Sequence, residues 1–165
     1  MKFVEVVKNK KYIYKILIIV GLLLIDLVTK SFMSAYFEAG NEPISILWGM
    51  VTFTYVKNTG AAFGSFASST VILTIISVVF VLVFTVVDYF HNRQSKLYLT
   101  GFCLIIAGAM GNFVDRLFLG YVRDFIRLRM FGFVCNIADI LICIGVAIYL
   151  LDMLRKQIDS SIKEE

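Results

Sequence analysis

Two aspartates in the last third of the chain have the residue types and setting for acid–base chemistry. Asp124 lies in the run Val122–Phe125, shortly after one apolar segment ends, and Asp139 lies in Asn136–Asp139, where the next one begins. An ionisable residue at or inside a bilayer is costly and indicates a functional site. Two carboxylates held together can share one proton and supply an acid and a base at once. The pair predicts an acid–base site at the mouth of two membrane helices.

A structural interpretation competes for one of these aspartates. Asp139 follows Asn136 by three residues and precedes a long apolar run. A negative charge there stabilises a helix N-terminus by interacting with the positive end of the helix dipole. That role accounts for Asp139 but not for a facing Asp124, and the spacing leaves both interpretations open.

Two further groups of polar residues have helical spacing. Asp26 and Lys30 are four residues apart, so they either form an ion pair worth a few tenths of a kcal/mol or face inward and shape a polar site. Asn112, Asp115 and Arg116 share one helix face at i, i+3 and i+4. They either cap the helix end, with a local Asp115–Arg116 pair, or orient the reactive carboxylates.

Composition sets the class of protein. The 165 residues are 59% apolar and 17% charged, with a mean hydropathy of +0.85, whereas about a quarter of the residues in a soluble domain are charged. Several apolar runs approach the roughly 20 residues that cross a bilayer. We therefore expect a single all-α membrane domain spanning residues 1–165, with no nucleic-acid partner.

Four spans and two external segments follow from the hydropathy pattern. The predicted spans are 13–31, 70–89, 97–114 and 136–153, and the predicted external segments are 32–69 and 115–135. Val51–Lys57 alternates apolar and polar residues, and Asn58–Gly60 has turn composition. This predicts a small external β element between the first two helices. The first helix is expected to be retained, since Asp26 and Lys30 follow its apolar run without a convincing cleavage site.

The lysines and arginines indicate orientation. Nine of the 16 lie before the first span, between the second and third, or after the fourth, and a tenth, Lys15, lies in the first turn of the first span. Positive charge favours the cytoplasmic side, so both termini should be cytoplasmic and the aspartates should lie toward the outer face. The last external segment is itself rich in arginine, which could contact anionic lipid headgroups.

Metal and thiol chemistry are disfavoured by the sequence. His91 is the only histidine, which argues against a histidine-based metal site or a catalytic triad. Cys103, Cys135 and Cys143 have no C-x-x-C spacing and are expected to be reduced thiols. We expect no metal and no cofactor.

Five motifs in order resemble the lipoprotein signal peptidases, the type II signal peptidases of bacteria. They are Asp26–Lys30, Asn58–Gly64, Gly108–Arg116, Val122–Phe125 and Asn136–Asp139. The resemblance implies a four-helix aspartic endopeptidase of the cytoplasmic membrane, in contact with membrane lipid. We expect a monomer. Its substrates would be diacylglyceryl-modified prolipoproteins, cut before the lipid-bearing cysteine.

The resemblance also implies roles for individual residues. Asp124 and Asp139 would be the catalytic dyad. The positions matching supporting or substrate-binding residues are Asp26, Lys30, Asn58, Gly60, Asn112, Asp115, Arg116 and Asn136.

Two residues depart from the family's usual pattern and affect the expected pocket rather than the reaction. Arg123 replaces an apolar residue and would either favour the ionised form of Asp124 or point to solvent or headgroups, and Cys135 replaces phenylalanine. The alternatives to the peptidase are a small carboxylate-relay transporter and an inactive relative that binds lipoproteins.

Overall fold

A computed structural model describes residues 10–60, 70–91 and 95–164 of the chain, most of which are helical. The four helices of these ranges are α1 (Lys10–Glu38), α2 (Thr70–His91), α3 (Lys96–Leu119) and α4 (Ile137–Glu164). Helices α1, α3 and α4 are long and apolar enough to cross a membrane, whereas the apolar part of α2, Thr70–Val86, is shorter. Three of the four predicted spans therefore lie in helices that are long and apolar enough to cross a membrane. The second predicted span, 70–89, stays a prediction.

The helices extend beyond the predicted spans. Helix α1 ends at Glu38, α3 at Leu119 and α4 at Glu164. Hydropathy marks only the part of a helix that suits the hydrocarbon layer, while backbone hydrogen bonding continues into polar sequence. The start of the predicted external segment 115–135 is therefore helical, and its position relative to the membrane stays a prediction. Residues 115–119 belong to α3, which ends at Gly120 with a left-handed φ of 79°.

The β structure is larger than the sequence predicted. Strands β1 (Ile44–Ile46), β2 (Val51–Asn58), β3 (Val122–Leu128) and β4 (Phe133–Cys135) form one antiparallel sheet in that order. Only its first two strands lie between α1 and α2, and the other two follow α3. A two-stranded hairpin is marginally stable alone, and β3 completes the hydrogen bonding of β2. Their register places Asn58 opposite Val122 and Val56 opposite Asp124.

Small residues allow α3 to approach its neighbours closely. A Cβ added at Gly108 would collide with the carbonyl oxygen of Ala138 on α4, and one at Gly111 would collide with the carboxylate of Asp26 on α1. Such close backbone approach is typical of small residues in membrane helix packing. It brings the C-terminal halves of α1 and α3 against the first turn of α4.

The opposite end of the bundle is held by separate contacts. Lys15 of α1 pairs with Asp88 of α2 at 2.8 Å. Phe84 of α2 stacks on Phe102 of α3, with 5.6 Å between ring centroids. These contacts fix α2 against α1 and α3 at a distance from the two aspartates.

Candidate active site

Asn136 and Asp139 form a capping box at the start of α4. The side-chain oxygen of Asn136 accepts a hydrogen bond from the backbone N–H of Asp139 at 3.0 Å. The Asp139 carboxylate in return accepts from the backbone N–H of Asn136 at 3.2 Å. This reciprocal arrangement satisfies two N–H groups of the helix end. Asp139 therefore does stabilise a helix N-terminus, and that role fixes its position in the site.

Asp124 lies buried in β3, with both carboxylate oxygens occupied by amide donors. Asn58 at the end of β2 donates to one oxygen at 2.7 Å, and Asn136 donates to the other at 2.6 Å. The side-chain oxygen of Asn58 accepts the backbone N–H of Gly60 at 3.0 Å. Because a backbone N–H can only donate, this bond sets which end of the Asn58 amide faces Asp124.

A second amide, that of Asn112 on α3, is oriented in the same way. Its oxygen accepts from the ammonium of Lys30 at 3.0 Å and from the Asn136 amide at 3.1 Å. Its nitrogen therefore faces the Asp139 carboxylate, to which it donates at 2.7 Å. Lysine has no acceptor, so the direction of this chain of bonds is fixed at its Lys30 end. Asp124 and Asp139 thus both receive side-chain N–H donors.

The environment of Asp124 favours partial protonation near neutral pH. Burial raises the pKa of Asp124 from its ordinary 3.8 to about 6, and the nearby negative charge of Asp139 adds to the effect. The hydrogen bonds from Asn58 and Asn136 act in the opposite direction, because they favour the ionised form. Each carboxylate oxygen of Asp124 accepts one amide donor and keeps a free lone pair. A proton can therefore be added to Asp124 without losing either hydrogen bond.

Lys30 is fully buried and joins the site to a carboxylate on its own helix. Its ammonium lies 2.8 Å from Asp26 and 3.6 Å from Asp115. The other oxygen of Asp26 accepts the backbone N–H of Ala138 in the first turn of α4 at 2.8 Å. The Asp26–Lys30 ion pair thus exists, and it faces inward and holds α4 as well.

Arg123 has a partner that the sequence did not suggest. Its guanidinium binds Asp115 at 2.6 Å and the Ser31 hydroxyl at 2.9 Å, and its backbone N–H donates to Asp115 at 2.9 Å. Arg123 therefore does not simply point to solvent or headgroups, and its effect on the ionisation of Asp124 stays a prediction. The turn at Gly120 reverses the chain and returns Arg123 to the last turns of α3.

Arg116 interacts electrostatically with the carboxylates of Asp139, Asp124 and Asp115. Asp115 is held at short range by Lys30 and Arg123, so the local Asp115–Arg116 pair does not describe its main contacts. The sequence motif thus contains Arg116, which interacts electrostatically with the dyad, and Asp115, which forms an ion pair with Lys30.

Cys135 and Gly60 complete the described surroundings. Cys135 is buried at the end of β4, its thiol lies 3.5 Å from the carbonyl oxygen of Ile126, and burial raises its pKa to about 11. A thiol in this state is a poor nucleophile.

Gly60 is buried next to Asn58, while the rest of that motif, residues 61–64, lies outside the described residues. Within the described ranges, no group of three or more His, Cys, Asp or Glu residues could hold a metal ion.

Comparison with known proteins identifies the family. The family model described as Signal peptidase (SPase) II matches residues 18–155. A lipoprotein signal peptidase of Lactobacillus johnsonii is 36% identical over 157 residues, covering 90% of this chain and 98% of that protein. One from Trichormus variabilis is 39% identical over 137 residues, covering 82% and 86%.

A solved structure shares the fold. It is described as a bacterial membrane enzyme determined by the in meso method at 2.3 Å resolution, and it has a TM-score of 0.72 and 28% identity. The match covers 87% of this chain and 89% of that one. Fold and comparisons together define a small helical membrane peptidase. The chain belongs to the signal peptidase II family.

Proposed function

We propose that the protein removes signal peptides from diacylglyceryl-modified prolipoproteins, cutting immediately before the lipid-bearing cysteine, with Asp124 and Asp139 as the catalytic dyad. Family membership supports the reaction. The observation that carries the residue assignment is the orientation of the asparagine amides, which direct N–H donors at both carboxylates. Such positioning is what two carboxylates need in order to act together on one water and one peptide bond.

In the first step, Asp139 acts as base and Asp124 as acid. Asp139 is the more accessible of the two, and it takes a proton from water while the water oxygen attacks the scissile carbonyl carbon. Asp124, whose pKa is raised to about 6, donates its proton to the carbonyl oxygen. The product of this step is a neutral tetrahedral diol.

In the second step, the diol collapses and both aspartates return to their starting states. Asp139 gives its proton to the leaving nitrogen as the C–N bond breaks. One diol hydroxyl returns a proton to Asp124 as the new carbonyl forms. One water is consumed, and the reaction needs no metal or cofactor.

The supporting residues hold this geometry. Lys30 and Asn112 orient the Asp139 carboxylate, Asn58 and Gly60 orient that of Asp124, and Asn136 contacts both. Asp26 and Asp115 balance the buried charge of Lys30. Arg116 stabilises negative charge on the dyad.

The arrangement of the helices supports a site at the outer face of the cytoplasmic membrane. The site is built from the later turns of α1 and α3 and the first turn of α4, so both chain termini belong to the opposite, cytoplasmic end. Helix α2, with 22 residues, has a length of roughly 33 Å, sufficient for a fourth span. We propose one monomeric four-span domain.

The proposal is tested with purified protein and a diacylglyceryl-modified prolipoprotein, with the unmodified precursor as control. Cleavage before the lipid-bearing cysteine of the modified substrate alone is expected. Absence of cleavage in folded protein would favour the inactive relative.

Topology is tested separately, in a variant without native cysteines. A cysteine at Thr59 should react with an impermeant reagent from outside, and one at Lys163 only after the membrane is opened. The reverse pattern would place the dyad on the cytoplasmic side.

A further inference from the structure

One end of the sheet, which we call the sheet tip, lies away from the dyad. It consists of the β1–β2 connection, residues 47–50, and the β3–β4 connection, residues 129–132. Pairing of Val51 with Leu128 and a 2.9 Å hydrogen bond from the Arg129 N–H to the Met50 carbonyl bring the connections together. Asp124 lies four residues from Leu128 along β3, toward the other end of the strand.

The sheet tip exposes large apolar side chains. Its exposed apolar residues are Leu47, Trp48, Met50, Met130 and Phe131. Trp48 is 95% exposed, although tryptophan is normally well buried. Leu47 and Trp48 have left-handed φ values of 49° and 54°, a conformation that is uncommon for bulky residues. Contiguous exposed apolar surface of this kind marks an interaction site.

The charge at and beside the sheet tip is exclusively positive. Arg129 at the sheet tip and Arg127 at the adjoining end of β3 are exposed, and neither residues 44–56 nor residues 125–135 contain an aspartate or glutamate. Tryptophan and phenylalanine beside arginine, without acidic residues, fit the boundary between hydrocarbon and headgroups. Basic side chains at that level attract anionic lipids.

We propose that the sheet tip inserts into the headgroup layer of the membrane that holds the helices and binds anionic phospholipid there. The sheet is connected to helices that are long and apolar enough to cross a bilayer, and the combination of apolar and basic groups complements an anionic headgroup above acyl chains. The sheet is then supported at two ends, by α3 and by lipid. This fixes the height of Asp124 above the hydrocarbon layer, and the binding does not depend on the chemistry of the dyad.

Trp48 is the only tryptophan of the chain, so its fluorescence reports on the sheet tip directly. The full protein is placed in vesicles of phosphatidylcholine and phosphatidylglycerol. In one preparation the phosphatidylcholine is brominated and in the other the phosphatidylglycerol, in each case near the carbonyl end of the acyl chains. Strong quenching of Trp48 by the brominated lipids and weak quenching by aqueous acrylamide are expected. Brominated phosphatidylglycerol should quench more strongly than brominated phosphatidylcholine at the same mole fraction.

Variants test the role of charge. Each of Arg127→Gln and Arg129→Gln should reduce the preference for phosphatidylglycerol about fivefold, as expected for one basic residue near an anionic surface. Arg155→Gln, an exposed arginine near the C-terminus, is the matched control and should have no effect. A variant that combines Trp48→Phe with Phe131→Trp moves the fluorescent side chain to the other connection of the sheet tip. Lipid quenching in this variant should report the same depth in the bilayer.

Three results would overturn the proposal. Quenching by acrylamide without quenching by brominated lipid would place the sheet tip in water. Protection from both quenchers would show that protein, such as a second copy, covers it. Equal quenching by both brominated lipids would show insertion without anionic recognition.

Discussion

Asn136 donates its side-chain amide to the Asp124 carboxylate at 2.6 Å, and this bond joins the sheet to the start of α4. Asn136 is also the residue that caps α4, and its backbone N–H contacts Asp139. The two carboxylates are thus positioned by one residue placed between them. A displacement of either the strand or the helix would break this connection.

The first prediction concerns the dyad itself. Asp124→Asn and Asp139→Asn preserve shape but remove proton exchange, so each should reduce kcat by roughly 10²–10⁴-fold. The losses should not multiply in the double variant, because the two residues act as one unit. Binding of the lipid-modified precursor should persist, since most contact would involve acyl chains and the apolar signal segment.

Two other aspartates serve as controls for the dyad variants. Asp26→Asn should retain measurable cleavage, as expected of a supporting residue, and Asp159→Asn, at an exposed site near the C-terminus, should be as active as the unmodified protein. Near-normal rates in either dyad variant would show that these carboxylates are structural.

The second prediction concerns pH. If Asp124 must be protonated to act as acid, kcat/KM should fall as pH rises through about 6, the pKa to which burial raises this carboxyl. Asn58→Ala removes a hydrogen bond that favours the ionised form, so it should move the midpoint to higher pH. Full pH profiles of both proteins provide the measurement. An unchanged midpoint in the variant would remove Asp124 from the acid role.

The third prediction concerns the cysteines. Replacing Cys103, Cys135 and Cys143 together by alanine should leave most of the cleavage rate, and chelators should have no effect. The high pKa of the Cys135 thiol, about 11, makes it unsuited to nucleophilic attack. Loss of turnover in a triple variant that still unfolds cooperatively would indicate a thiol nucleophile.

The sequence predicted the participants of the site better than their connections. Asp124 and Asp139 stand out because they occur in short motifs at apolar boundaries, whereas the roles of Asn58 and Asn136 are implied only by the resemblance to the family. The spacing of Asn136 and Asp139 predicts only a charge near a helix dipole, whereas the structure shows a reciprocal capping box. Strand β3 was missed because Arg123 and Asp124 interrupt its apolar pattern.

The contact between Arg123 and Asp115 could not be predicted from local sequence. It depends on the end of α3 at Gly120 and on the long-range pairing of β3 with β2, in which Lys57 lies opposite Arg123. Helix ends beyond the hydrocarbon layer were missed for a related reason, because hydropathy does not report backbone hydrogen bonding. Contacts set by tertiary structure were therefore the part that sequence patterns did not supply.

The fourth prediction tests that contact. Arg123→Leu leaves the buried Asp115 carboxylate with Lys30 at 3.6 Å as its remaining ion-pair partner, and it should lower the free energy of unfolding by about 3 kcal/mol. Adding Asp115→Asn to Arg123→Leu should recover part of the loss, because no unpaired charge remains. Arg127→Leu, on the exposed part of the same strand, is the control. Thermal unfolding in detergent measures all three, and equal stability of the two arginine variants would contradict the role of this ion pair.

The last prediction uses glycines that differ in their surroundings. A Cβ at Gly111 would meet the Asp26 carboxylate, and one at Gly108 would meet the fixed carbonyl oxygen of Ala138, whereas one at Gly21 would meet nothing within 4 Å. Gly108→Ala should therefore destabilise the fold by about 1–3 kcal/mol through overpacking. Gly21→Ala should be neutral or stabilising by up to about 1 kcal/mol, since alanine is the better helix former.

Gly111→Ala tests whether Asp26 positions the first turn of α4 or only contributes to helix packing. The added methyl group would meet the Asp26 carboxylate, which can move aside. Displacing Asp26 would weaken its hydrogen bond to the Ala138 N–H and loosen the first turn of α4, which carries Asp139. We therefore expect Gly111→Ala to lower kcat more than it lowers the unfolding temperature, while Gly108→Ala lowers both. Parallel measurement of unfolding and cleavage in the three alanine variants checks this. If Gly111→Ala and Gly21→Ala cleave at the same rate, the contact between Asp26 and α4 does not position the catalytic aspartate.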